Sequence, residues 1–457
     1  MTTDTPTIDA FARRLRAGDV TAEQVTEECL RRIDADNARV NAFILVMADD
    51  ARRQARDADK ALAAGHDRGP LHGVPISIKD LIDIRGTATT AASRVREGHV
   101  AERDAVVITR LRDAGAVLIG KTNLHEFAFG TTNEDSAFGP ARNPHDLSRS
   151  PGGSSGGSAA GLSSGMSLAT IGTDTGGSIR IPAAACGTVG LKPSYGEVPT
   201  DGVVPLSRTL DHVGPLTRSV TDACFVYHAL LGRASADPPA PMPVRGLRLG
   251  VPRTYFCDLL DDEVRARFEE SLDRLRAAGV RIDDVEIRHA KDIAPVYLHL
   301  VMGDAAAYHA ATLESMPERY TTPVRLRLEM ARYVSAEDYV RALAGREILR
   351  REVDALLASR DALVLPTLPI PAPLIGADSV VIGFGKEAVR NLMLRLTQPF
   401  NITGHPAISL PSGPTAAGLP CAVQLVGHRM QTDALLSAAL VCEPHVSAGM
   451  GNSKVRS

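Results

Sequence analysis

The chain has no tryptophan among its 457 residues, and aromatic residues make up only 4%. A core filled by large rings is thereby excluded; alanine and glycine abound instead, and such interiors pack closely around small side chains. Charge of one sign is also lacking, since 51 basic residues face 54 acidic ones for a net −3 at pH 7. Lysines and arginines are scattered rather than massed, which argues against nucleic acid or an anionic membrane as a main partner. No C-x-x-C spacing joins Cys29, Cys186, Cys224, Cys257, Cys421 and Cys442. They read as free thiols in a reducing compartment rather than a disulfide framework. No apolar run is long enough to cross a bilayer and no basic-then-apolar leader opens the chain, so a cytoplasmic protein is expected.

What is present suffices for a sizeable core: 44% hydrophobic residues beside 23% charged ones. Residues 8–17 read as a short amphipathic helix closed by Gly18. Thr21 with Gln24 makes a capping box ahead of the stripe Val25, Cys29, Ile33. A helix fits 50–64, stopped by Gly65. Val74, Ile76 and Ile78 then alternate with Pro75, Ser77 and Lys79, which in a strand sets Ser77 and Lys79 on one face. A helix capped by Asp104 and ended by Gly115 feeds an apolar strand, Ala116–Ile119. Farther on, Ser219 caps a helix through Leu231. Strands are read at Leu247–Val251, Val280–Ile287 and Asp361–Leu365, with helices over 262–278 and from Ser335, and Asn401–Leu410 leads into one more strand. Such alternation predicts an α/β layered sheet. Because both halves are α/β, a single domain is expected over 1–457, with its motif region at 70–220. The linker-like 233–244 is then an excursion within it, and 445–457 a disordered tail.

One stretch organises the rest. Between Gly152 and Gly190 lie eleven of the 39 glycines and seven serines. G-G-S-S-G-G-S alone would suit a flexible linker. The residues that follow, from Met166 to Cys186, turn apolar and small, as a buried, tightly packed site requires. G-x-S-x-G at 152–156 would make a nucleophile elbow with a later acid and a histidine, His212 and His405 being the ones to replace. That elbow needs a strand feeding the turn, whereas D-L-S-R-S-P is loop-like. Gly172–Gly177 resembles the start of a phosphate loop, but Ser178 stands where its lysine should be. His125-Glu126 lacks the second histidine of a zinc motif, so neither metal nor cofactor is predicted. Two serines and a lysine fit better. A serine hydroxyl needs a base, and lysine becomes one only when burial lowers its pKa. Ser178 follows paired glycines whose N–H groups can gather on an oxyanion. Lys79 ends an apolar strand, a position that equally suits a solvated lysine.

G-G-S-S-G-G-S at 152–158, G-T-D-T-G-G-S-I-R-I-P-A-A-A-C-G at 172–187, H-G-V-P-I-S-I-K-D at 72–80 and N-E-D-S-A-F-G-P-A-R-N-P at 133–144 resemble the amidase signature family of amide hydrolases. The resemblance runs from about Ala22 through G-L-P-C-A-V-Q-L-V-G at 418–427. It implies a large mixed central β-sheet flanked by helices on both faces. It makes Ser178 the nucleophile, Ser154 the bridging serine behind a cis peptide, and Lys79 the base. Thr175, Gly176, Gly177 and Ser178 become the oxyanion hole, with Ser155, Asp174 and Arg180 supporting it. Ala128, Phe129 and Gly130 are placed on the acyl side of the cleft, although they would equally serve as plain core. His309 and Arg327, in the second half, read as pocket, surface or packing residues.

A D-x-Y-T-x-P motif carries the acid that grips glutamine in the family members that serve glutamine-dependent tRNA amidotransferases. The matching stretch here is L-R-L-T-Q-P, with Leu394 in place of the acid. A free-standing amidase is therefore expected, acting with water on small, fairly apolar amides, or on aryl amides, esters and carbamates. The alternatives are one component of a multi-chain amidotransferase and a histidine-dependent esterase. A homodimer is compatible with the sequence.

Overall fold

The computed structural model describes residues 5–383 and 385–447. Local signals set its first helices. Ile8–Ala17 ends at Gly18, whose φ of 76° suits a residue without a side chain. Ala22–Val40 opens on the capping box: Gln24 N donates to Thr21 Oγ1 at 3.1 Å and Thr21 N to Gln24 Oε1 at 2.9 Å. Six strands precede residue 233: β1 (Phe43–Val46), β2 (Pro75–Lys79), β3 (Val117–Thr122), β4 (Ala169–Asp174), β5 (Val189–Lys192) and β6 (His212–Thr217). After residue 244 come β7 (Arg248–Pro252), β8 (Arg281–Val285) and β9 (Ala362–Pro366). A small hairpin, β10 (Ser379–Ile382) with β11 (Gly385–Ala388), is followed by β12 (Ala407–Pro414) and β13 (Pro420–Val426).

All but the hairpin form one eleven-stranded sheet in the order β1-β3-β2-β4-β6-β5-β12-β13-β9-β7-β8. Strands from either side of 233–244 thus share it. The sheet is mixed: β2 runs parallel to β3 and β4, whereas β4 pairs antiparallel with β6 and β5 with β12. Every residue of β2, β3 and β4 is buried, so these strands are covered on both faces. The alternation read in β2 therefore separates two buried faces rather than a wet one from a dry one, and Lys79 lies wholly inside. Helices flank the sheet, and one continuous apolar cluster joins both halves of the chain. A smaller cluster of Ala159, Leu162, Ile179, Ala183, Cys186 and Leu216 packs behind the glycine-rich region.

Several readings change. The helix Val106–Asp113 is flanked by Ala105 and has no side-chain cap. Asp104 instead accepts from Arg85 N at 2.7 Å and Arg112 Nε at 3.0 Å. Before β12, Pro399–Ile402 is a short helix rather than the approach to a strand. Six α-helices went unread: Gly156–Ser163, Arg180–Cys186, Ile293–Ser315, Thr322–Ala331, Val389–Arg395 and Thr432–Val446. The last continues through Pro444, so His445 and Val446 are helical, while 448–457 of the expected tail lie outside the described residues. All six cysteines are free and buried. Among the described residues no helix is long and apolar enough to cross a membrane.

Candidate active site

The end of β2 brings Lys79 beneath the loop 150–155 that precedes the helix Gly156–Ser163. The Gly153–Ser154 peptide is cis. Gly153 must be glycine, because a Cβ there would stand 2.8 Å from Asn133 N and 2.9 Å from the Thr131 carbonyl carbon. Lys79 Nζ donates to Ser154 Oγ at 2.7 Å and to Thr173 Oγ1 at 2.8 Å. Among the described residues no carboxylate lies within ion-pair distance of it. Burial pulls its pKa from the usual lysine range to about 7, against the opposing charges of Asp174 and Asp211. A solvated strand-end lysine is thereby excluded.

β4 delivers the second loop. Beyond Asp174 the chain turns through Thr175, Gly176, Gly177 and Ser178 into the helix Arg180–Cys186. Gly177 takes φ 140°, a conformation that favours glycine. Ser178 is buried but keeps 6% of its surface exposed. Among the described residues, none accepts a hydrogen bond from the N–H of Gly176, Gly177 or Ser178, which leaves those donors for a ligand. Ser155 ties the two loops together, its N donating to Ser178 O at 3.2 Å and its Oγ to Thr173 O at 3.2 Å. Ser154 and Ser178 are thus neighbours through the backbone, and their hydroxyls are not hydrogen-bonded to each other.

Beneath the loop lies a fully buried ion pair. Asp174 accepts from Arg180 Nη2 at 3.0 Å and Nε at 3.1 Å, from Ile179 N at 3.1 Å and from Asn401 Nδ2 at 2.8 Å. Burial alone would raise this carboxyl, but the guanidinium beside it holds it well below the usual carboxylate range. Arg180 also donates to Gln424 Oε1 at 3.1 Å and Asn401 Oδ1 at 2.7 Å. Thr175 Oγ1 donates to Asp211 Oδ1 at 2.6 Å, and burial pushes Asp211 up to about 6.

Two helices of the second half, Ile293–Ser315 and Val389–Arg395, and the turn after the latter roof the loop. A Cβ at Gly176 would overlap Tyr297 Oη and lie 2.8 Å from a Leu394 methyl. Thr397 Oγ1 donates to Gly176 O at 2.6 Å. Ala128 lines a small cavity with Thr173, Thr175, Asp211 and His212. Phe129 packs under the Arg327 guanidinium, 5.2 Å from ring centre to Cζ, while Arg327 Nη1 donates to Phe129 O. Gly130 lies against the His125 ring, which a Cβ would overlap.

Other candidates from the sequence take structural places. His309 is buried among Phe127, Tyr308 and Tyr320, with Nδ1 3.0 Å from Tyr320 Oη, and burial pulls it down to about 3. His212 Nδ1 faces Leu210 O at 2.7 Å and Asp174 O at 3.1 Å. His405 meets Thr403 Oγ1 at 2.9 Å and Asp354 Oδ1 at 3.1 Å. Neither histidine bonds Ser154 or Ser178, and no strand feeds the turn at 152–156, so the nucleophile-elbow reading loses both its requirements. Among the described residues no group of three His, Cys, Asp or Glu side chains could hold a metal ion. Thr173, Asp211, Tyr297 and Arg390 went unnamed in the sequence, and Asn401 was read only as the approach to a strand. Thr173 sat inside the quoted G-T-D-T stretch, and its register beside Lys79 was the signal available.

A model of the family described as "Amidase" matches residues 24–436. An amidase of Pseudomonas putida is 40% identical over 451 residues, covering 96% of this chain and 95% of that protein. One of the subunits of the glutamyl-tRNA(Gln) amidotransferase of Koribacter versatilis is 35% identical over 482 residues, covering 97% of this chain and 98% of its own. A solved crystal structure of an amidase superimposes with a TM-score of 0.91 at 38% identity, covering 96% of this chain and 100% of that one.

Proposed function

The chain belongs to the amidase family, and from that premise we propose that it hydrolyses the C–N bond of small amides through an acyl-enzyme on Ser178. The observation that carries this reading is the wholly buried Lys79 amine, held at 2.7 Å by Ser154 with only hydroxyl partners. A neutral amine accepts the Ser178 proton by way of Ser154 as Ser178 Oγ bonds to the amide carbon. The carbonyl oxygen becomes an oxyanion among the N–H groups of Thr175, Gly176, Gly177 and Ser178. The tetrahedral intermediate collapses, the C–N bond breaks, and the lysine proton returns through Ser154 to the leaving nitrogen. Water, deprotonated along the same relay, then cleaves the ester to a carboxylic acid and frees Ser178. Asp174 and Arg180 hold the loop, and Ser155 fixes its distance from the bridging serine.

Leu394 beside Gly176 supports an apolar acyl neighbourhood, with aryl amides, esters and carbamates as extensions of the same carbonyl geometry. No cofactor enters the scheme, so dialysis against a chelator should leave the rate unchanged. The test is a fluorophosphonate followed by mass spectrometry of the intact and digested chain. Labelling on Ser178 is expected; labelling elsewhere, or none with activity intact, overturns the assignment. A second reading, one component of a multi-chain amidotransferase, is favoured by the Koribacter versatilis relative. Gel filtration with an amidase assay of the isolated chain separates the two, since a component of this kind would be inert alone.

A further inference from the structure

Outside the cleft, a cavity of about 490 Å³ opens between the loop 95–99, Phe127 and the later turns of the helix Ile293–Ser315. Tyr308, in its wall, stands eleven residues beyond Tyr297 on that helix, about 16 Å along the axis. The cavity is therefore separate from the roof over Gly176, and its size suits a small ligand. Phe127 and His309 are buried and form its floor, their rings edge to face at 4.4 Å. The exposed Tyr308 adds a second aromatic wall, with its ring 4.9 Å from His309. His309 also brings an unused polar atom, since Nε2 is buried and has no partner among the described residues. The hydrogen bonds around the ring assign its proton. Thr312 Oγ1 donates to His309 O at 3.2 Å, so the same oxygen accepts from Tyr320 Oη at 2.5 Å. Tyr320 has then used its one proton and accepts from Nδ1 at 3.0 Å. Burial keeps the imidazole neutral, and Nε2 is left as a bare acceptor. At the rim, Arg96 Nε donates to Thr89 O at 2.9 Å. Neither its remaining N–H groups nor the exposed Glu97 carboxylate has a partner among the described residues.

We infer that this cavity is a second binding site, for a free aromatic amino acid whose ring carries an N–H or O–H donor. The ring lies between the Phe127 and Tyr308 rings and gives its proton to His309 Nε2. The α-carboxylate meets Arg96 and the α-ammonium meets Glu97, so each charge at the rim finds its opposite. A ring without a donor would leave the buried Nε2 unpaired. An aromatic acid or an aromatic amine would satisfy only one of the two rim charges. A free amino acid has no amide bond to cleave and is held well away from Ser178, so it is a bound ligand rather than a substrate. The site thus stands independently of the acyl-enzyme reading.

The test uses L-tryptophan as the probe. Because the chain has no tryptophan of its own, indole can be excited apart from the protein's tyrosines. Titration with the full-length protein should give a saturable rise in indole anisotropy, at one site per chain. Phenylalanine, which lacks a ring donor, should compete about 10-fold more weakly, since the buried acceptor stays unpaired. Tryptamine and indole-3-propionate, each lacking one charge, should each bind about fivefold more weakly than tryptophan. Arg96→Gln should weaken tryptophan by the same factor and leave tryptamine unchanged. Glu97→Gln should do so for tryptophan and leave indole-3-propionate unchanged. Both substitutions fall at the partly or fully exposed rim, where the fold tolerates them. Absence of saturable binding at millimolar tryptophan overturns the proposal. So does equal affinity for phenylalanine, or tryptophan binding that survives both rim substitutions undiminished.

Discussion

The floor and the roof of the cleft obey different rules. In the floor every buried charge is held by named partners: Asp174 with Arg180, and Lys121 with Asp80 at 2.8 Å. In the roof Arg327 has a single backbone acceptor, and Arg390 has none among the described residues. Two lysines sharpen the contrast within the floor. Ile78 of β2 lies opposite Lys121 of β3, so Lys79 and Lys121 end neighbouring strands, both fully buried. Burial pulls both amines down, but Lys121 has a carboxylate opposing that pull, whereas Lys79 has hydroxyls, which accept a hydrogen bond but supply no counter-charge. The lesson is that the floor is satisfied before substrate arrives and the roof is not. A fixed floor suits invariant chemistry; an open roof leaves selectivity to the ligand.

The comparison breaks most easily at the nucleophile. Ser178→Ala should lower kcat by roughly 10³-fold or more, measured on any amide the wild type turns over. Lys79→Arg should be nearly as damaging, because guanidinium keeps its proton and cannot act as a base. On the proposed relay only the neutral Lys79 amine is active, and burial pulls its pKa to about 7. kcat/KM should therefore rise with pH through that region along one ionisation and then level off. If arginine preserved most activity, Lys79 would be supplying only charge, and the proton relay through Ser154 would have to be abandoned.

Smaller effects sharpen the contrast. Asp174→Asn leaves Arg180 without its counter-charge and should cost about 3–5 kcal/mol of stability, read from denaturant unfolding. The same removal of a partner has no counterpart in the roof. There, Leu394→Asp should instead raise turnover of glutamine relative to an uncharged amide by about 10-fold, through attraction of its ammonium. No change in that ratio would mean the roof residue does not face the substrate. Thr21→Ala, far from the cleft, should cost only about 1 kcal/mol by removing the capping box and leave the rate untouched.

The floor was legible because its residues are close in sequence and their types are constrained. Paired glycines, a serine after them and an alternating strand ending in lysine each have a physical reason to be where they are. The roof was not, because Tyr297 and Arg390, like Arg327 whose place the sequence left open, come from helices more than a hundred residues onward and reach the cleft only through the fold. Ile293–Ser315 buries one face at Ile293, Val296, Leu300, Ala305 and Leu313, but exposed Leu298 and Tyr308 put apolar residues on the other, so its sequence lacks the clean stripe that identifies a surface helix. Asp104 misled for a related reason. An acid just before a helix is a good cap on paper, but here Arg112 and the Arg85 N–H claim its oxygens. The tail expected from 445 begins inside the helix Thr432–Val446, which continues through Pro444 for two more residues.

The anchoring of Arg180 has a consequence in time as well as in space. Lys79, Ser154 and Ser178 are all present once the first 178 residues have been made. The partners that hold their loop, Asn401 and Gln424, lie 221 and 244 positions beyond Arg180. β12, which pairs with β5, comes equally late. Domains emerge from synthesis from the N-terminus, and contacts this distant form only after a large loop has closed. A nascent chain thus carries Ser178 long before it can hold that loop in place. On the proposed mechanism, a chain that lacks these late strands lacks the partners that anchor the Arg180 loop.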